Sequence, residues 1–191
     1  MTLLILGLVL FLGAHSARIF AEGLRARTIA SMGELGWKAL YSAVSIAGLA
    51  LIVIGYPDTR AAAPLYDPPT WTRHVAALLV LAAFLLLAAA YVPGTRIKRA
   101  VGHPMVLGVK AWALAHLLAN GRPGDVVLFG AFLVWAVLDY RAAKARDRAA
   151  GTTYPALGAG RDLAALVVGL ALYAAFAFWL HARWFGVRPF G

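Results

Sequence analysis

Cysteine is absent from the 191 residues of this sequence. Its absence excludes disulfides, zinc–thiolate sites, iron–sulfur clusters and thiolate-ligated haem, because all of these need cysteine sulfur. Histidine nitrogen is then the best ligand that the chain can offer to a soft metal or to haem iron. The sequence supplies this ligand at only five positions: His15, His74, His103, His116 and His181.

Charge is also scarce, and acidic charge most of all. Charged residues make up 14% of the chain, whereas about 25% is usual in a soluble domain. The mean hydropathy is +0.77, so much of the surface is expected to face lipid, and the bilayer is the first predicted partner. The chain has 18 basic and 8 acidic residues. Because the basic residues lie in short loops between apolar runs, they indicate membrane topology and argue against a nucleic-acid partner.

Six apolar segments follow one another along the chain, each near the roughly 20 residues that cross a bilayer as a helix. They predict an all-α, polytopic membrane helix bundle of about six transmembrane helices, with no soluble domain and one domain over residues 1–191. Five helices follow instead if the short fourth or fifth segment is re-entrant. The first run lacks a basic start, so we interpret it as a retained helix and not a signal peptide. The segments are 2–20, 39–56, 74–92, 103–121, 126–140 and 163–181.

The basic residues divide unevenly between the two sets of loops. Thirteen of the 18 lie in or beside loops one, three and five, and the positive-inside rule therefore places those loops in the cytoplasm. The expected location is the cytoplasmic (inner) membrane of a bacterium, with both termini outside. Loop two, residues 55–71, is rich in proline and is predicted to be a non-helical lid or surface loop. Loop five is polar with alternating charge, which predicts a helical extension of the fifth segment.

The fourth segment carries polar side chains inside apolar sequence. Pro104 suits the first position of a helix, and Asn120-Gly121 suits its end. Trp112, His116 and Asn120 are spaced to share one helix face. An ionisable residue at membrane depth is a functional-site hypothesis by default. The small neighbours of His116 leave room for a planar cofactor, although a single hydrogen bond to another helix would also explain it.

His15 is the second candidate site residue, because it lies well inside the first apolar segment. Arg18 follows one turn later on the same face. The pair is interpreted as part of a ligand site, or alternatively as interfacial side chains near a helix end. His103 lies beside the basic residues of loop three and is either a helix cap or a site residue. His74 and His181 are predicted at the outer interface.

The run H-P-x-x-x-G-x-x-x-W-A-x-x-H-L-x-x-N-G, from His103 to Gly121, resembles the signature of the NnrU family of bacterial membrane proteins. The run A-H-S-A-R that ends at Arg18, the run K-A-L-Y-S that starts at Lys38, and Gly55-Tyr56 also resemble that family. A relative of the family is the plastid 15-cis-zeta-carotene isomerase, a membrane enzyme that carries haem b.

The resemblance implies a haem b site. The two haem-ligating histidines of the isomerase correspond to His15 and His116 here, which makes these two the expected iron ligands. Trp112, Arg18 and His103 are further candidate cofactor contacts. The isomerase has a cysteine three residues before its second histidine, and this chain has Ala113, so no thiolate can exchange as a ligand.

Three function classes follow from these observations. The first is a haem b-binding membrane protein, either a redox-dependent isomerase of a lipophilic substrate or an electron-transfer protein, linked to nitrogen-oxide metabolism. The second is a haem-free accessory protein that helps to assemble a denitrification enzyme and binds a membrane protein partner. The third is a small transporter, with Lys110 and Arg18 lining an anion path. If His15 and His116 differ in membrane depth, His15 with His103 and His116 with His74 or His181 are the alternative pairs.

Overall fold

The computed structural model describes residues 1–190, and within that range the secondary structure is helical, with no strand. The all-α prediction is therefore confirmed. A 3-10 turn, Pro57–Ala61, follows the third helix, and a π-helical turn, Phe176–Leu180, precedes the last one. The α-helices are α1 (Thr2–His15), α2 (Ala17–Phe20), α3 (Glu22–Gly55), α4 (Trp71–Tyr91), α5 (Arg96–Val101), α6 (Pro104–Ala119), α7 (Pro123–Ala150), α8 (Ala159–Ala175) and α9 (His181–Phe185).

Four helical stretches are long and apolar enough to cross a membrane: Glu22–Ala61, Trp71–Tyr91, Pro123–Ala150 and Ala159–Phe185. Two shorter apolar helices, Thr2–His15 and Pro104–Ala119, accompany them. Together they coincide with the six apolar segments of the sequence. Large apolar side chains along them, such as Leu78, Val134 and Phe178, are exposed, as expected where a helix faces lipid. The chain is thus a multi-pass membrane helix bundle.

Contacts within the chain define two compact units. The first unit contains residues Met1–Asp67 and Asn120–Asp139. In it, α1 packs against α3 at glycines. Glycine has no side chain, so the two backbones can approach closely there, and a larger residue would separate them. A Cβ atom built on Gly7 would lie 2.7 Å from the Gly48 carbonyl oxygen, and one built on Gly48 would lie 2.6 Å from the Phe11 nitrogen. This close contact fixes the helix that ends at His15.

Loop one was predicted to separate the first two segments, and here the structure differs. Residues 22–38 are helical and form the first half of α3. The physical reason is composition, since alanine, leucine and arginine in this stretch are good helix formers. The direction of the chain changes at Gly33, whose φ of 76° is one that glycine adopts without strain. The basic residues of loop one therefore lie on helices and not on a flexible connection.

The second unit contains Pro68–Ala119 and the residues from Tyr140 onwards. Here α4 packs against α6 and α8, again with glycines at the contacts. A Cβ atom on Gly108 would lie 3.1 Å from the Ala83 carbonyl oxygen, and one on Gly169 would lie 2.8 Å from the Leu85 side chain. The fourth segment forms α6 from Pro104, as its sequence predicts.

The loops agree with the sequence in two respects. Loop two has only the 3-10 turn at its start and is otherwise non-helical up to Trp71, as its prolines predict. Loop five continues α7 to Ala150, which confirms the predicted helical extension. Loop three contains the short helix α5, which was not predicted. Its N-cap is the fully buried Thr95, whose hydroxyl accepts a hydrogen bond of 3.0 Å from the Lys98 N–H.

Candidate functional site

His15 is the last residue of α1 and lies in the first unit. Its Nδ1 atom lies 2.7 Å from the carbonyl oxygen of Phe11, one helical turn earlier. A carbonyl can only accept, so Nδ1 carries the proton, and in the neutral ring Nε2 carries the lone pair. The ring also stacks on Phe11, with 4.2 Å between ring centroids and an interplanar angle of 26°. The imidazole is therefore held in one orientation with one defined tautomer.

Aromatic side chains of the same unit surround the His15 ring. The centroid of Tyr41, on α3, lies 5.1 Å away, and that of Trp135, on α7, lies 6.0 Å away in an edge-on arrangement. The Trp135 Nε1 atom is buried and has no hydrogen-bond partner within residues 1–190. A buried indole N–H without a partner is uncommon and calls for an acceptor. This cluster, which we call the His15 aromatic site, contains Phe11, His15, Tyr41 and Trp135.

Arg18 lies one turn beyond His15, on the short helix α2, and its side chain is exposed. Its Nε atom is 3.8 Å from a carboxylate oxygen of Glu22, which also binds Arg25 at 2.8 Å. Arg18, which was predicted to lie near His15, is therefore ion-paired to Glu22, the first residue of α3. An exposed ion pair of this kind contributes little to stability.

His116 lies on α6 in the second unit and repeats the geometry of His15. Its Nδ1 atom is 2.8 Å from the carbonyl oxygen of Trp112, so the N–H again points along the helix and Nε2 carries the lone pair. The Trp112 ring lies 5.2 Å from the imidazole at an angle of 50°. Ala113 and Ala115 are fully buried. His116 itself is half-buried, and the planar cofactor expected beside these small residues stays a prediction.

His103 is held differently, in a polar cluster of the second unit. Its Nε2 atom lies 2.9 Å from a carboxylate oxygen of Asp147, on the extension of α7. The hydroxyl of Tyr154 donates to the same carboxylate, at 3.1 Å and 3.2 Å from its two oxygens. Burial, together with this hydrogen bond, raises the pKa of Tyr154. Because its Nε2 atom is bound to Asp147, His103 has only Nδ1 left for any other ligand.

Asp147 and Tyr154 were not among the predicted site residues. A signal was present, since Asp147 is the only acidic residue in the basic stretch from Arg141 to Arg148. A tyrosine–carboxylate pair in the first unit was not predicted either: the Tyr56 hydroxyl donates to Asp125 at 2.5 Å. Asp125 accepts a second bond of 3.1 Å from the Arg122 N–H at the start of α7. The bond from the Arg122 N–H to Asp125 caps the first turn of α7, so we interpret Asp125 as a structural residue.

The two remaining histidines lie near helix ends. His74 is exposed in the first turn of α4. His181 begins α9, and its Nδ1 atom is 2.7 Å from the Val187 carbonyl oxygen. Within residues 1–190, no group of three or more histidine, aspartate or glutamate side chains is arranged to hold a metal ion.

Comparison with known proteins gives one result. The family model for NnrU protein matches residues 3–189, which is nearly the whole chain. A search of curated proteins and a search of solved structures found no match.

Proposed function

The chain belongs to the NnrU family, and on that premise we propose that it is a membrane protein that binds haem b through His15 and His116. The family assignment fits a membrane protein related to nitrogen oxides. Bound haem would supply a redox-active iron, and the protein sets its ligands, burial and access. Electron transfer, or a redox-dependent reaction of a lipophilic substrate, are the activities that such a site supports.

The observation that carries the proposal is the shared hydrogen bond of the two histidines. In each, Nδ1 donates to the carbonyl oxygen four residues earlier, at 2.7 Å for His15 and 2.8 Å for His116. Histidines that ligate metals almost always donate their other ring N–H to a carbonyl or a carboxylate, which fixes the tautomer and raises the basicity of the ligating nitrogen. Both rings therefore present Nε2 in the form that binds iron.

The surroundings of His15 fit the same role. The stacked Phe11 ring restricts rotation of the imidazole, and Tyr41 and Trp135 supply flat apolar surface of the kind that packs against a macrocycle. The unpaired N–H of Trp135 offers a hydrogen bond to a polar group of a bound cofactor. His181 also has its Nδ1 atom bonded to a carbonyl, but the acceptor, Val187, lies in the non-helical stretch after α9. Replacing His181 therefore tests whether any histidine with such a bond is needed for haem binding, or only His15 and His116.

The experiment is an absorption spectrum of purified protein, oxidised and then reduced with dithionite, after expression with sufficient haem. We expect a Soret band and sharp α and β bands in the wild type. Both His15→Ala and His116→Ala should lose or shift these bands, whereas His74→Ala and His181→Ala should keep them. A folded but colourless wild-type protein would overturn the proposal, and the haem-free accessory role would then be the alternative.

A second measurement distinguishes a ligand from a residue that the fold requires. Replacement of His15 by glycine leaves space for free imidazole, and millimolar imidazole should restore the reduced spectrum if the ring acts as a ligand. Leu118→Ala, on α6, controls for general loosening of an apolar helix. If imidazole restores nothing although the His15→Gly variant elutes as a folded particle, His15 is not a ligand.

A further inference from the structure

The second unit contains an open cleft that the proposed function does not use. Its volume is about 450 Å³. Two elements supply its basic side chains: Arg99 lies on α5, and Lys144 lies on the extension of α7. Asp147 and the stretch from Thr152 to Pro155 complete the lining. We call this the α5–α7 cleft.

The charge that the cleft presents is positive. Asp147 is its only acidic lining residue, and the carboxylate accepts hydrogen bonds from His103 and from Tyr154. Within residues 1–190, neither Arg99 nor Lys144 has a carboxylate at ion-pair distance. Lys144 lies near enough to Asp147 for the two charges to attract each other, and the second basic residue, Arg99, leaves the lining with an excess of positive charge. The Lys98 ammonium, 6.0 Å from the centre of the Tyr154 ring, adds a third positive charge at the edge.

The walls of the cleft are fixed by contacts inside the unit. The Leu157 N–H donates to the Gly94 carbonyl at 2.8 Å, which ties the loop after α7 to the turn before α5. The Arg96 N–H donates to Asp162 at 2.7 Å, which ties α5 to the start of α8. A preformed site loses less conformational entropy on binding than a flexible one.

The cleft lies at the ends of several apolar helices. The turn at Gly94 follows the end of α4, His103 precedes α6, and the loop with Tyr154 precedes α8. These are loops three and five, on the side predicted to face the cytoplasm. Basic sites at this level between membrane helices are suited to phosphate-bearing lipid headgroups.

We propose that the α5–α7 cleft binds a phosphate group, held by Arg99 and Lys144. Guanidinium and ammonium groups form charge-assisted hydrogen bonds to phosphate oxygens, and the hydroxyls of Thr152 and Thr153 at the rim are further donors. The phosphate belongs either to an anionic phospholipid headgroup or to free phosphate. Both sources use the same recognition chemistry, and the experiment separates them.

The test counts lipids on the full-length protein by native mass spectrometry in detergent, with phosphatidylglycerol compared to phosphatidylcholine of the same acyl chains. The double variant R99Q/K144Q removes both ligands. Its matched control, R141Q/R148Q, removes two exposed charges elsewhere on α7. We expect phosphatidylglycerol binding to fall at least about tenfold in the first variant and less than about twofold in the control. Equal losses in the two variants would show general attraction to charge and would overturn the proposal.

Calorimetric titration of delipidated protein with inorganic phosphate separates the two sources. Binding of inorganic phosphate that R99Q/K144Q abolishes assigns the cleft to free phosphate, and binding of phosphatidylglycerol alone assigns it to a headgroup. Asp147→Asn keeps an oxygen that accepts from His103 and Tyr154 but removes the negative charge, so either ligand should bind more tightly. Weaker binding to that variant, or binding of neither ligand by the wild type, would overturn the site.

Discussion

His15 and His103 are held in opposite ways, and the contrast separates a histidine that can ligate iron through Nε2 from one committed to a polar cluster. His15 donates from Nδ1 to a carbonyl within its own helix. His103 is bound through Nε2 to a carboxylate 44 residues away. The first bond is local, fixes the ring and leaves Nε2 as the acceptor nitrogen. The second engages the nitrogen that haem iron would use.

The surroundings of these two histidines are also held together by different interactions. The helix that carries His15 is held to α3 by close backbone contact at Gly7 and Gly48. The cluster around His103 depends on one carboxylate, Asp147, that receives two side-chain donors. Packing of the first kind fails when volume is added, and a cluster of the second kind fails when its acceptor is removed. We therefore expect a larger side chain to destabilise the first region and the loss of the carboxylate to destabilise the second.

The largest contrast concerns haem. We expect His15→Gln to lose the Soret and reduced α and β bands almost completely, because the ligating nitrogen is gone. His103→Gln should keep them, since a glutamine amide can still donate to Asp147 and this residue is outside the proposed ligand pair. Absorption spectra of the two variants at equal protein concentration provide the measurement. Retention by both variants, or loss in His103→Gln alone, would contradict the comparison.

The next effect concerns the contact of α1 with α3. A leucine at position 48 would place its Cβ 2.6 Å from the Phe11 nitrogen, so the helices must separate. We expect Gly48→Leu to destabilise the protein by about 3 kcal/mol or more and to lower haem content as a consequence.

Gly13→Leu is the matched control for this substitution, because a Cβ at Gly13 meets nothing within 4 Å. Unfolding by denaturing detergent, followed by circular dichroism, gives the free-energy change of both variants. Similar losses in the two would mean that bulk in the bilayer, and not the contact at Gly48, sets the effect.

The sequence was sufficient for features that depend on local pattern. Hydropathy located the six apolar segments, and Pro104 marked the start of α6, since proline at the first turn costs no hydrogen bond. The alternating charges after Tyr140 predicted the extension of α7 to Ala150. The carbonyl bonds of His15 and His116 were not predicted, although they are local, because residues four apart on a helix are neighbours.

The sequence was insufficient where tertiary contact decides. The pairs His103–Asp147 and Tyr56–Asp125 join residues 44 and 69 positions apart, and no local periodicity encodes such distances. The helical start of α3 was missed because charge was interpreted as loop, although its residues favour helix. Haem binding by His15 and His116 stays a prediction, because it concerns a ligand and not the fold.

A smaller effect should follow from removal of the shared carboxylate. Asp147→Ala leaves the His103 ring and the Tyr154 hydroxyl without their acceptor, at a cost of about 1–3 kcal/mol. Asp67→Ala, at an exposed aspartate in loop two, should change stability by less than about 0.5 kcal/mol. Detergent unfolding measures both, and the haem bands of Asp147→Ala should remain. Equal stability of the two variants would show that the cluster around His103 contributes nothing to the fold.

The smallest effect is the pH dependence of one hydroxyl. Tyr154 has a raised pKa in the folded protein, so its neutral form stabilises the fold fully below the unfolded pKa of about 10. Above that pH the unfolded chain ionises first, and the contribution is lost as the pH rises towards the folded pKa. Tyr154→Phe should therefore be less stable than the wild type by about 1 kcal/mol at neutral pH. The difference between the two should shrink above pH of about 10, and a difference that stays constant or grows there would mean that the bond to Asp147 does not hold the phenol neutral.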